Sequence, residues 1–519
     1  MKIRRSISKE WILPLFILFL VCLVTVGSSP VFKTNSWVDS NAMLTMGRAL
    51  VHGQVPYRDI IDQRGPVLYA LFALGSLIKN NSFFGVFILQ LLNIGLVYFL
   101  SWKMALDFKI EVVDAKWAAL LGPLALISTN TYNLSGSPEE FVFSLILYLL
   151  YVINHYHQRV TDIPLKTYFI LGFSLSLIFW NKYSLAGVYV VFFLWVAISL
   201  LMRRDFHKLS RIVLASVLGF SIITLLVLIY FAVTHALGDM FQIYFLQNMT
   251  AYGSTKQSQL MKFLNLFFII GRELQSHYFV IILIVTGWLK AVYEKKNVLL
   301  EVSLFGGALL FVALQRWLND YNNLIWMPFL AVALLRLLQI KTFKLAYSDK
   351  TIFYTVNVLI VGCLLVLPFA NNSFLSQLVP KGSQESNSGQ SFTAQPQFAS
   401  RMVQETKGKP TLLMINDLDE GFYLAAHTLP TTRYWQKLNM NYEQLPAMYQ
   451  SFAKTMNHQK IDYVIVKLMS PPENGPKALN QQISGAVDRS IYPSLMNNYR
   501  IDSMAQNSPN EFYILFCKK

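Results

Sequence analysis

Three carboxylates and three arginines crowd one short stretch of the chain. It runs Trp37-Val38-Asp39-Ser40-Asn41, Gly47-Arg48, Gly53-Gln54-Val55-Pro56-Tyr57-Arg58-Asp59 and Asp62-Gln63-Arg64-Gly65-Pro66. Carboxylates can take protons and guanidinium groups can grip phosphate. Held together at a lipid interface, they suit chemistry on a lipid phosphate. Loop charges are usually only solvated, and that reading stands beside the chemical one for each residue alone. Pro56, Gly65 and Pro66 argue for a shaped loop, because they impose fixed turns. Two more positions draw attention. Ser137-Pro138-Glu139-Glu140 precedes an apolar run. A carboxylate at a membrane boundary is costly unless paired, protonated or near water. The plainer account is a helix start, with Ser137 as cap and Glu in the first turn. Lys182, in Trp180-Asn181-Lys182-Tyr183, interrupts apolar sequence. It either snorkels to the surface or meets a phosphate. Arg272 and Arg316 are weaker phosphate candidates, and Asn319-Asp320-Tyr321-Asn322-Asn323 is polar enough to line a cavity or to be an ordinary loop.

The elements that must hold these residues are membrane helices. Of 519 residues, 54% are hydrophobic and only 14% charged, with mean hydropathy +0.42. A soluble domain carries about 25% charged residues. The deficit comes from apolar runs near the length that crosses a hydrocarbon core of about 30 Å. Eleven spans are predicted: 11–28, 83–102, 117–130, 140–155, 167–181, 184–202, 210–234, 277–293, 297–314, 323–340 and 351–370. The first reads as a retained helix rather than a cleaved signal.

Charge sets the orientation. With the N-terminus cytoplasmic, the inner segments 1–10, 103–116, 155–167, 203–211, 290–296 and 336–350 hold about 20 Lys and Arg in about 70 residues. The outer loops before residue 371 hold about 10 in about 120. The net charge of +16 therefore reads as positive-inside bias, and no nucleic-acid partner is expected. An odd number of spans puts the C-terminal region outside.

The charged stretch then lies in an external loop, 29–82, next to the bilayer. Within it, 40–51 is amphipathic and 66–78 is apolar but too short to span; both suit helices lying in the interface. A similar run, 263–270, lies in the outer segment 235–276. After residue 370 the pattern changes. Residues 371–398 read as a linker, with Ser, Gln, Asn and Gly enriched over 381–398. Residues 399–519 read as a small α/β domain, with strands near 411–415, 463–466 and 512–516 and a helix near 442–456. Its acidic run Asn416-Asp417-Leu418-Asp419-Glu420 could bind metal or sugar, or simply end a strand. Cys22, Cys363 and Cys517 form neither a disulfide framework nor a zinc motif. No nucleotide-binding or hydrolase motif occurs, which argues against an ATP-driven transporter.

The order Asp39, Gly-x-Val-Pro-Tyr-x-Asp (53–59) and Asp-x-Arg-Gly-Pro (62–66) resembles the first external loop of bacterial GT-C glycosyltransferases. The protein O-mannosyltransferase and aminoarabinose-transferase type is nearest, particularly Gram-positive cell-envelope members. The resemblance covers the whole architecture: an α-helical polytopic membrane core at 1–370 with about 11 transmembrane helices, and an extracytoplasmic α/β domain. It implies that Asp39 is the catalytic base. Many members carry Lys where this chain has Arg64, and mannosyltransferase-like members commonly carry Glu where it has Ser40. The implied reaction takes sugar from a polyprenyl-phosphate donor at the outer face of the plasma membrane. Asp39 would deprotonate an acceptor hydroxyl, inverting the anomeric carbon. Lys182 would stabilise the leaving phosphate, with Arg64, Arg58 and Arg272 as alternates. Asp62, Glu139, Glu140 and Tyr57 would orient the substrates. Some members use a divalent ion; no complete ligand set is present here and no metal is assigned. The acceptor would be a cell-wall glycan, a lipid or a protein. The rival reading is a non-enzymatic transporter or flippase of lipid-linked saccharides, which should carry charges near the bilayer midplane and paired halves.

Overall fold

The computed structural model describes residues 9–32, 35, 37–128, 134–250, 258–315, 321–339, 349–371, 393–508 and 510–519. Arg316, Asn319, Asp320 and most of the predicted linker lie outside them. The chain divides into two compact units, each assembled from three separated stretches.

The first unit comprises Met1–Val26, Leu89–Val227 and Gln257–Asn372. It is helical, and each predicted span contains a helix, from Lys9–Thr25 through Pro138–His155 and Leu165–Lys182 to Asp349–Asn371. Two helices, Phe84–Asp107 and Phe206–Val233, are long and apolar enough by themselves to cross a membrane. Two bent pairs reach that length only jointly: Leu165–Leu185 with Gly187–Met202, and Leu260–Ser276 with Tyr278–Tyr293. The first continues from Leu89 and the second enters this unit as far as Val227. Leu214, Leu218, Leu225 and Leu226 of Phe206–Val233 are exposed. Such an uncovered apolar row suits contact with lipid rather than water.

Inside the unit, helices meet through small residues, as membrane helices do. A side chain at Gly287 would come within 2.7 Å of the Ala333 Cβ, so Tyr278–Tyr293 and Met327–Leu337 pack almost backbone to backbone. A buried ion pair ties the same bundle. The Arg336 guanidinium bonds both carboxylate oxygens of Glu301, with Nη1–Oε2 at 2.8 Å. Asn154 and Trp288 donate to the same carboxylate at 2.8 and 3.1 Å. All of Glu301's charge is thus met inside the protein, the condition for a buried pair to persist.

The second unit comprises Gly27–Ile88, Leu228–Lys256 and Ser373–Lys519, so the charged loop and the C-terminal region fold together. The loop contributes helices Val38–Val51 and Pro66–Ile78. Gly65 and Pro66 start the second, Pro sitting where the missing N–H costs nothing. The two helices meet at Gly47, where an added Cβ would lie 2.5 Å from the Phe72 backbone. The amphipathic stretch is therefore not an interfacial helix: Ser40 through Ala49 are all buried. The 66–78 helix keeps an uncovered apolar edge at Leu74, Leu77 and Ile78.

The C-terminal region is a four-stranded sheet with helices. Strands β1 (Leu412–Met414), β2 (Tyr463–Leu468), β3 (Tyr499–Ser508) and β4 (Glu511–Lys518) lie in the order β1-β2-β4-β3. β1 and β2 are parallel, and the crossover between them carries helix Pro446–Asn457. β4 runs antiparallel to both neighbours, with Ile465 opposite Leu515. Helix Ala394–Glu405 begins inside the stretch read as linker.

Candidate active site

Asp39 sits in the first turn of helix Val38–Val51, where a carboxylate is favoured by the helix dipole. Its Oδ1 lies 2.6 Å from Arg64 Nη2. The other arm of that guanidinium, Nη1, lies 2.6 Å from Asp62 Oδ2. One arginine thus bridges two carboxylates. Asp39 and Arg64 keep some solvent contact, at 15% and 11% side-chain exposure, while Asp62 keeps none.

Burial of Asp62 is made tolerable by four donors. The Arg64 backbone N–H and the Tyr69 hydroxyl donate to Oδ1 at 3.0 and 2.8 Å. Arg64 Nη1 and Gln436 Nε2 donate to Oδ2, the latter at 3.1 Å. Asp62 is thereby fully engaged and acts by holding Arg64.

Tyr57 shapes the same turn. It is fully buried with φ +71°, a conformation costly for a residue with a side chain. Its hydroxyl donates to the Arg64 carbonyl at 2.6 Å. Burial, with Asp62 nearby, pushes the Tyr57 and Tyr69 hydroxyls well above the usual tyrosine range, so both remain donors. Arg58 is exposed and paired with Asp59 at 2.8 Å, and it donates to the Thr234 carbonyl at 2.5 Å. Its guanidinium is already engaged.

The tail completes this arrangement with Asp419, from the acidic run the sequence singles out, and with Trp435 and Gln436, which no local pattern marks. Asp419 accepts from Thr45 Oγ1 at 2.7 Å and from the Gly421 N–H at 2.9 Å. Burial pushes its carboxyl up, while these donors and Arg48 oppose the rise. Its own N–H donates to Gln436 Oε1 at 2.8 Å. Trp435 Nε1 donates to the Ile61 carbonyl at 3.2 Å. The acidic run at 416–420 is thus spent internally: Asp417 and Glu420 pair with Lys467 at 3.1 and 2.6 Å, and Glu511 joins them at 2.7 Å. No group of three or more His, Cys, Asp or Glu side chains placed to hold a metal ion occurs among the described residues.

The remaining candidates belong to the helical unit. Helix Pro138–His155 starts as the sequence suggests: Ser137 Oγ accepts from the Glu140 N–H at 3.1 Å. Glu140 is buried, and its carboxylate accepts from Gln90 at 3.0 Å and from the Gly136 N–H at 2.9 Å. It fixes the helix start and has little left for a substrate. Glu139 is buried beside it. Lys182 Nζ donates to Glu139 Oε1 at 2.7 Å and lies over the Tyr321 ring at 5.8 Å. Glu139 Oε2 is buried with no hydrogen-bond partner among the described residues. An ammonium has three donors, and Lys182 is 30% exposed, so it can pair with Glu139 and still meet an anion. Arg272, on helix Gln259–Ser276, points outward; its neighbour Glu273 turns in and accepts from Trp326 at 3.0 Å.

No protein-family model matches the sequence, and no curated protein matches it. Among solved structures, the chain is similar to ArnT from Cupriavidus metallidurans bound to undecaprenyl phosphate. The TM-score is 0.59 with 10% identity, covering 98% of each chain. The apo state of that protein gives a TM-score of 0.57 with 11% identity, again over 98% of each chain. Despite the low identity, the likeness extends from end to end, and this chain has the fold of ArnT.

Proposed function

We propose that the protein is a GT-C membrane glycosyltransferase that takes a sugar from a polyprenyl-phosphate donor outside the plasma membrane. The observation that carries the proposal is the Asp39–Arg64–Asp62 constellation, set in a fold shared end to end with an undecaprenyl-phosphate-binding ArnT. The acceptor is a cell-envelope glycan, lipid or protein. All eleven helical stretches serve as membrane elements, with the N-terminus cytoplasmic and the C-terminal region outside.

The reaction is a single displacement. The acceptor oxygen bonds to the anomeric carbon as the bond from that carbon to the phosphate oxygen breaks. The electron pair leaves with the phosphate, and the acceptor proton passes to Asp39. General-base help of this kind is worth about 10²–10⁴ in rate. Attack opposite the leaving group inverts the anomeric centre. The phosphate gains charge as it leaves, and Lys182 supplies the cation that stabilises it. Lys182 is favoured because its ammonium, 30% exposed, keeps donors beyond its bond to Glu139, whereas the Arg64 guanidinium spans two carboxylates and that of Arg58 holds both Asp59 and the Thr234 carbonyl.

The test is transfer by the purified full chain from radiolabelled undecaprenyl-phosphate sugars to an envelope extract. Inverted product and released undecaprenyl phosphate are expected. Movement of the intact lipid-linked sugar across liposomes, with no bond broken, would overturn the enzymatic reading in favour of a flippase.

A further inference from the structure

Gln436 comes from the tail, yet its amide closes the hydrogen-bond shell of a loop carboxylate. It is 1% exposed. Its Oε1 is fixed by the Asp419 N–H at 2.8 Å, and its Nε2 donates to Asp62 Oδ2 at 3.1 Å. That oxygen is the one Arg64 Nη1 also uses, at 2.6 Å. The opposite arm, Nη2, reaches Asp39.

A guanidinium shared by two carboxylates is divided according to how well each is otherwise satisfied. A buried carboxylate short of one donor draws harder on the donors that remain. The Gln436 amide removes that deficit at Asp62, which leaves the second arm of Arg64 aimed at Asp39. We infer that Gln436 is a positioning residue for Asp39, acting through Asp62 and Arg64, so that the C-terminal region completes the site in the first external loop. The inference rests on the reading of Asp39 as the base.

Gln436→Glu discriminates best. It keeps the acceptor for the Asp419 N–H and nearly the same shape, but it offers Asp62 a like charge in place of a donor. The assay uses the full chain with undecaprenyl-phosphate-linked glucose, mannose and N-acetylglucosamine, an envelope extract as acceptor, and released undecaprenyl phosphate as the readout. Gln436→Glu and Gln436→Ala are expected to lower kcat about tenfold or more, with KM for the donor within about twofold. In an Asp62→Asn background either change should add less than about twofold, because the route to Asp39 is already cut. Wild-type kcat in Gln436→Glu, or the full loss repeated on top of Asp62→Asn, overturns the inference. An active Asp39→Asn overturns the base reading; an inactive Asp39→Asn beside an active Gln436→Glu overturns the positioning role alone. A thermal-unfolding cycle needs no turnover. Gln436→Ala and Asp39→Asn should be non-additive while Asp62 is present and additive in Asp62→Asn; additivity in both backgrounds overturns the inference.

Discussion

Arg64 holds Asp39 at 2.6 Å through the guanidinium arm that Asp62 leaves over. The pair orients a carboxylate that retains solvent contact on a helix whose other face is buried. Asp39→Asn preserves shape and removes the proton acceptor. We expect kcat per folded molecule for sugar transfer to fall by about 10²–10⁴, a loss read apart from the drop in thermal midpoint that follows from weakening the Arg64 pair. Near-normal turnover would remove Asp39 from the mechanism.

Lys182 and Glu139 give a prediction that separates binding from stability. Removing one partner of a buried pair costs about 3–5 kcal/mol, and the partial exposure of Lys182 brings its figure below that range. Lys182→Met should therefore lower the unfolding temperature and weaken undecaprenyl-phosphate binding about tenfold or more. Glu139→Gln added to Lys182→Met should recover the unfolding temperature but not the binding. Titration with undecaprenyl phosphate in detergent, beside a melting curve, checks both halves.

Gly47 is a packing test. A methyl group there meets the Phe72 backbone at 2.5 Å, and backbone cannot swing aside. Gly47→Ala should destabilise the full chain by about 1–3 kcal/mol and disturb the helix that carries Asp39. An unchanged denaturation midpoint would show that the two helices can part at no cost.

The Lys467 cluster supplies a pH dependence. One lysine faces Asp417, Glu420 and Glu511. Burial, with Asp417 and Glu511 adding to it, pushes the Glu420 carboxyl up to about 8 despite Lys467. Burial works against the Lys467 ammonium, but the three carboxylates hold it above the usual lysine value. The folded chain therefore keeps a proton on Glu420 that the unfolded chain releases near the ordinary value of 4.5. Stability falls as pH rises through that window, by at most about 1.4 kcal/mol per pH unit. The Lys467 contribution is lost only at higher pH, above its unfolded value. Melting curves between about pH 5.5 and pH 8.5 should show the decline, and Glu420→Gln should flatten it. Equal slopes in wild type and variant would exclude Glu420 as its source.

Local pattern revealed much of this architecture. The predicted 66–78 run coincides with helix Pro66–Ile78, because Gly65-Pro66 marks its start and its apolar sequence sustains it. The charged loop was legible because its turn formers stand between its charges. Strand β3 was not, since Tyr-Arg-Ile-Asp-Ser-Met-Ala-Gln-Asn-Ser is polar and half exposed, as befits the edge of a sheet. The amphipathic pattern of 40–51 gave the helix but not its surroundings, because Thr45 and Arg48 on its polar side are covered by Asp419 and the Tyr423 carbonyl. Gln436 could not be found at all from local sequence, being 374 residues from Asp62.

Thr45 and Asp419 are likewise 374 residues apart. A ribosome adding about 5–20 residues per second spends roughly 20–75 s between them. Throughout that interval the Asp39 helix waits with Thr45 and Arg48 lacking their eventual cover. A chain truncated before Asp419 lacks the groups that cover them. Asp419 and Tyr423 thus supply the cover for a helix made long before them.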